Sequence, residues 1–221
     1  MNLNIKTTKD MKEVADFVAS SINKKLEEGK KVLWFVSGGS AIPMEVLVAK
    51  KIKEKLSDNL VVALVDERYG PVGHPDSNWF KLEIAGFKIK GAKMIPILIN
   101  KNMKETIEKT KDIMTHELNK AKYKIGIFGI GIDGHTAGIL PHTIALKSND
   151  IICTYDTDLH SRITITPKTI EKLDEAILYA MGESKWASIE LLKKDISIED
   201  EPAQILKKVP LLTIFTDYKK I

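Results

Sequence analysis

Short, uninterrupted apolar runs recur along this chain, separated by segments of helical periodicity. Lys31–Val36 (KVLWFV), Leu60–Val65 (LVVALV), Lys93–Ile99 (KMIPILI), Lys124–Phe128 (KIGIF), Glu175–Met181 (EAILYAM) and Leu211–Phe215 (LLTIF) have strand length without polar alternation. Strands apolar on both faces must be covered on both faces, as in a parallel sheet between two helical layers. Thr8 to about Glu28 places Met11, Val14, Phe17, Val18 and Ile22 on one helical face and ends at Gly29. Pro43–Leu56, Ser77–Ala85, Lys104–Lys120 and Gly182 to about Lys194 also read as helices, with Ser77 placed as an N-cap. Arg162–Thr166 (RITIT) reads as a further strand, and 142–160 is the least regular stretch. The alternation predicts an α/β fold with a mainly parallel sheet. No Gly/Ser/Pro linker or internal repeat divides the 221 residues, so 1–221 is read as one domain.

Composition narrows the partners. The net charge of +4 is small, and the lysines are spread along the chain, which argues against a nucleic-acid partner. No apolar run approaches the roughly 20 residues that span a bilayer, and the N-terminal stretch lacks the apolar core of a signal peptide. Cys153 stands alone, so no disulfide framework or Cys-based zinc site is expected, and a reducing cytoplasm fits best. Histidines 74, 116, 135, 142 and 160 show no ligand spacing that favours a metal. Among 34 Lys+Arg, the only arginines are Arg68 and Arg162. Keeping arginine in so lysine-rich a chain suggests a need for its two-pronged grip on phosphate or carboxylate.

Ligands of such sheets bind in the loops after the strands. The first of these loops is Ser37-Gly38-Gly39-Ser40, where glycines admit close approach and hydroxyls, N–H groups and a helix N-terminus form an anion site. It matches neither a dinucleotide fingerprint nor a P-loop. The second is Asp66-Glu67-Arg68, followed by His74-Pro75-Asp76-Ser77-Asn78. Arg68 would meet a substrate oxyanion or phosphate, and Asp66 would accept from a sugar hydroxyl. The third, Gly129–Pro141 (GIGIDGHTAGILP), presents Asp133 and His135 in a loop of little bulk. An imidazole can take a proton from water, and a carboxylate beside it fixes its tautomer. Lys185, in GESK at a strand–helix junction, suits phosphate capture.

Together SGGS at 37–40, DER with HPDSN at 66–78, GIGIDGHTAGILP, RITIT, GESK and PAQIL at 202–206 resemble the 6-phosphogluconolactonase family. That family belongs to a wider group with glucosamine-6-phosphate deaminases. The resemblance implies a Rossmann-like three-layer α/β/α sandwich of the glucosamine-6-phosphate deaminase/ribose-5-phosphate isomerase/CoA-transferase-like kind. It implies hydrolysis of 6-phospho-D-glucono-1,5-lactone in the oxidative pentose phosphate pathway, without a cofactor. His135 would be the base, oriented by Asp133, with Arg68 near the sugar or the developing oxyanion. Ser37, Gly38, Gly39, Ser40, Arg162 and Lys185 would hold the phosphate. The partner expected is the small sugar-phosphate lactone, with no membrane or nucleic acid, on a monomer or small homo-oligomer.

Two departures stand out. Ala41-Ile42-Pro43 adds one residue before the proline of SGGS-T-P, and Gly138 and Leu140 replace the serine and phenylalanine of GHTASLFP. The rival enzyme is an amino-sugar phosphate deaminase, which resembles GHIAFNEP with Glu before the proline and reads DEY at the second loop. Leu140 and Arg68 favour the lactonase. A non-catalytic sugar-phosphate sensor is a third reading, disfavoured by the lack of room for a helix-turn-helix before KVLWFV.

Overall fold

The computed structural model describes residues 3–219. In chain order the strands are β1 (Asn4–Thr7), β2 (Val32–Val36), β3 (Leu60–Leu64), β4 (Asp66–Arg68), β5 (Lys93–Ile95), β6 (Tyr123–Phe128), β7 (Ile152–Asp156), β8 (Ser161–Ile165), β9 (Glu175–Ala180) and β10 (Leu211–Thr216). The helices are α1 (Met11–Glu27), α2 (Ile42–Lys51), α3 (Asn78–Ile84), α4 (Met103–Lys120), α5 (Pro167–Ile170) and α6 (Trp186–Leu192).

The apolar runs build a seven-stranded sheet in the order β1-β10-β9-β6-β2-β3-β5, parallel at every pairing. Alternate residues of each strand serve the two helical layers. Trp34, Val62, Ile125 and Phe215 pack with α1, α2 and α3, whereas Leu33, Phe35, Ala63, Phe128 and Ile214 pack with α4, α5 and α6. This is the expected three-layer α/β/α sandwich. Side-chain caps start the helices: Asp10 accepts from the Lys12 N–H, Ser77 from the Phe80 N–H and Asn102 from the Glu105 N–H.

Strand order locates the crevice. From β2 the chain proceeds outward through β3 to β5, then returns to place β6 on the other side of β2. The loops after β2 and β6 therefore diverge, leaving an opening at the carboxyl ends of the strands. Ser37–Ser40 follows β2 and Gly129–Pro141 follows β6.

The structure corrects several sequence expectations. RITIT lies outside the main sheet: β8 pairs antiparallel with β4 and β7 in a separate sheet of order β4-β8-β7. Asp66–Arg68 is thus a strand, not a loop, and part of 142–160 supplies β7. The run from Lys93 stops at Ile95, because Pro96 cannot donate to the ladder. α2 ends at Lys51, and a 3₁₀ turn over Glu54–Asn59 completes the expected helical stretch. Within 182–194, a 3₁₀ turn at Glu183–Lys185 precedes α6. Among the described residues no helix is long and apolar enough to cross a membrane.

Candidate active site

The crevice holds a cavity of about 210 Å³. Its lining includes Ser37, Gly38, Gly39 and Ser40 after β2, Asp66, Arg68 and Arg162 on the second sheet, and His135 and Lys185. Of the residues singled out in the sequence, only Asp133 is absent from the lining; it stands behind His135. Asn78, Tyr179 and Met181 also reach the cavity and carried no sequence signal of their own, although Asn78 closes the HPDSN motif.

The loop after β6 sets the imidazole. His135 Nδ1 lies 2.6 Å from Asp133 Oδ1, which also accepts the His135 backbone N–H at 3.2 Å. Burial raises the Asp133 pKa, but the charge and hydrogen bonds of His135 outweigh it and hold the carboxyl below its ordinary value. Residue 131 must be glycine, since a Cβ there would lie 2.1 Å from His135 Nδ1 and 2.4 Å from Asp133 Oδ1. Other elements clamp the loop. Ser188 of α6 donates to the Gly131 carbonyl at 2.7 Å, and Thr164 of β8 donates to that of Ala137. Tyr155 of β7 donates to the Gly138 carbonyl and accepts the Leu140 N–H. PAQIL, a 3₁₀ turn, contributes from behind through the Ala203 N–H, 2.9 Å from the Gly134 carbonyl.

Asp133 supports this geometry only while ionised. Its folded-state pKa is depressed, so its contribution is present above the ordinary carboxylate pKa and lost as pH falls through the folded value. Asp133→Asn should therefore melt below wild type above about pH 4 and converge with it in more acid solution. Thermal melts of the two proteins across pH check this; a constant gap down to strongly acid pH contradicts it.

The β4–β8 pair brings both arginines to one face. Arg68 and Arg162 are direct partners across the β4–β8 pair, and Tyr155 stands opposite Arg162 on β7. Two guanidinium groups side by side need anions. Asp66 supplies one, 3.4 Å from Arg162 Nη1. Burial raises its pKa, and Arg68, Arg162 and His135 only partly reverse this. Asp66 is 6% exposed; its Oδ1 accepts an Asn78 side-chain N–H at 3.4 Å, and its backbone carbonyl accepts from the same amide at 3.0 Å. Arg68 Nη1 donates to the Asp76 carbonyl at 2.9 Å, while its Nε and that of Arg162 have no hydrogen-bond partner among the described residues.

Glu67 explains why three charges end a buried strand. Fully buried, it accepts the N–H groups of Arg68, Asn78 and Trp79 and the Ser77 hydroxyl at 2.6–3.0 Å. It ties β4 to the start of α3, and its role is to position Asn78 and Arg68. The remaining cationic and polar wall comes from Lys185, beside the α6 start, and from the glycine-rich turn. In that turn the Ser37 N–H is not free for a ligand: Glu45 Oε1 accepts it at 2.6 Å. Burial drives the Glu45 pKa well above its ordinary value, and the Ser37 N–H only partly reverses this.

The chain that builds this crevice matches a known family over almost its whole length. The model of glucosamine-6-phosphate isomerases/6-phosphogluconolactonase matches residues 6–213. The chain belongs to this family. It is 28% identical to a Lactobacillus johnsonii glucosamine-6-phosphate deaminase, covering 97% of this chain and 95% of that one. It is 26% identical to a Pseudomonas aeruginosa 6-phosphogluconolactonase, covering 88% and 85%. The crystal structure of a 6-phosphogluconolactonase from Shewanella baltica superposes with a TM-score of 0.78 at 23% identity, covering 97% and 98%. Two of the local departures have structural reasons in this member of the family. Gly138 has φ +68°, and a Cβ there would lie 2.5 Å from Asp66 Oδ2. Leu140 packs against the core cluster that also holds Ile139 and Tyr155.

Proposed function

We propose that this chain hydrolyses 6-phospho-D-glucono-1,5-lactone to 6-phosphogluconate, in the second step of the oxidative pentose phosphate pathway. The observation that carries the reading is the His135–Asp133 pair facing Arg68 and Arg162 across one cavity. With the Nδ1 proton donated to Asp133, Nε2 is the basic nitrogen. It takes a proton from water as the oxygen attacks C1, and the tetrahedral oxyanion is stabilised by Arg68. The C1–ring oxygen bond then breaks, and the imidazolium returns its proton to that oxygen. Ser40, Gly38, Gly39, Arg162 and Lys185 hold the phosphate and so keep the substrate in the crevice. Asp66 balances the two guanidinium groups and keeps Arg162 in place.

The relative named as a deaminase keeps a second reading in play: deamination of glucosamine 6-phosphate. An enzyme of that kind resembles GHIAFNEP, with a carboxylate where this chain has Leu140, and Leu140 packs into the core. The two readings separate in one pair of assays. Loss of freshly generated lactone well above its spontaneous rate, without ammonia from glucosamine 6-phosphate, is the expected result. Ammonia release with no faster lactone loss reverses the assignment.

A further inference from the structure

The residues that would take a phosphate include Lys185, whose place depends on a part of the chain far from it in sequence. Lys185 lies between Gly182 and Trp186, in the turn after β9. The backbone itself closes this turn, through the Lys185 N–H to the Gly182 carbonyl at 2.9 Å and the Trp186 N–H to the Glu183 carbonyl. A second closure comes from beyond β10. Asp217 Oδ1 accepts the Gly182 N–H and the Trp186 indole N–H, each at 3.0 Å. One carboxylate oxygen therefore holds both ends of the arc that carries Lys185. Tyr218 packs on Trp186 with ring centroids 5.5 Å apart and planes tilted by 38°, and Lys193, just past the end of α6, lies over the same Tyr218 ring. The indole hydrogen bond, joined by the Gly182 N–H, outweighs burial and holds the Asp217 carboxyl below its ordinary value. It is thus an ionised and strong acceptor at neutral pH. α6 continues from this arc to Ser188, which donates to the Gly131 carbonyl of the His135 loop.

We propose that Asp217 is a positioning residue for substrate binding: by latching Gly182 and Trp186 it aims Lys185 at the phosphate of the substrate. This rests on the lactonase reading and on the phosphate role of Lys185. The latch acts on the phosphate end of the substrate and leaves the reacting end to His135. Its loss should therefore appear in KM rather than kcat, and only for a phosphorylated substrate.

The test compares wild type with Lys185→Ala, Asp217→Ala, Asp217→Asn and Trp186→Phe on 6-phosphogluconolactone and on unphosphorylated glucono-1,5-lactone. Losing an aligned charge–phosphate contact should raise KM by about tenfold in Lys185→Ala and by a comparable factor in Asp217→Ala, with kcat within about twofold. Asp217→Asn keeps a carbonyl oxygen and should recover most of the loss. Trp186→Phe removes one of the two donors and should fall between. Hydrolysis of the unphosphorylated lactone should not distinguish Asp217→Ala, Asp217→Asn and Trp186→Phe from wild type, which a general loss of folding would. A raised KM in Lys185→Ala with wild-type KM in Asp217→Ala overturns the latch and leaves the phosphate role standing. Wild-type KM in Lys185→Ala removes that role, and the latch with it. Equal losses on both substrates make Asp217 a stability residue only.

Discussion

Replacing His135 with alanine should lower kcat by about 10²–10⁴-fold, the usual contribution of a positioned general base, while binding of 6-phosphogluconate changes little. The split follows from the site's layout. His135 sits at the end of the crevice held by Asp133, whereas Arg162, Lys185 and the glycine-rich turn line its other walls. Removing the imidazole leaves the phosphate contacts intact. The residual rate would come from positioning and from oxyanion stabilisation by Arg68. Single-turnover kinetics with product-binding titration reads both quantities. Near wild-type kcat in this variant rules out His135 as the base; an equal collapse of kcat and product affinity makes the loop structural instead.

Glu67→Ala should be the most destabilising single change at the site, by about 3–5 kcal/mol. The carboxylate has no exposure and accepts from four groups, the backbone of Arg68, Asn78 and Trp79 and the hydroxyl of Ser77. Alanine leaves all four buried donors without an acceptor and adds a cavity. Burial raises the Glu67 pKa and the four hydrogen bonds pull it back only in part, so the site is costly to maintain even in wild type. Glu67→Gln has the same shape but turns one acceptor into a donor facing donors, so it should lose less than alanine yet remain measurably destabilised. Urea unfolding of the three proteins orders them. Alanine and glutamine variants within about 0.5 kcal/mol of wild type would mean the network is not what holds β4 to α3.

The parts of the fold that the sequence reveals are those where burial on both faces leaves only one pattern. β2, β3, β6, β9 and β10 are apolar at nearly every position, so their number and parallel arrangement follow directly. The parts it hides carry ambiguous patterns. β1 (NIKT) is an edge strand with one large apolar residue, and β7 (ICTYD) is half-exposed, so neither shows a buried run or clean alternation. β4 reads as three charges because its side chains face protein partners: Glu67 the start of α3, Asp66 the Arg162 guanidinium. The second sheet, and with it the direct opposition of Arg68 and Arg162, depends on pairing between segments nearly a hundred residues apart, which local pattern does not encode.

The same distinction runs through the site. His135, Asp133, Arg68 and Lys185 stand out because each falls in a loop or strand end that follows an apolar run, and Arg162 because it is one of only two arginines in the chain. Tyr155, Thr164, Ser188 and Asp217 act on the site through backbone carbonyls and N–H groups of other segments. A hydroxyl or carboxylate that binds a distant peptide group looks in sequence like any other surface residue. Glu45 is hidden for a related reason: a charged side chain in α2, it is fully buried and accepts the Ser37 N–H.

The most direct test follows disappearance of freshly generated 6-phosphogluconolactone by time-resolved NMR at neutral pH, with wild type and His135→Ala at equal concentration. Rapid loss with wild type, stoichiometric appearance of 6-phosphogluconate, and a rate near the spontaneous one with His135→Ala is the predicted result. Wild type no faster than the uncatalysed reaction would contradict the lactonase reading at its centre.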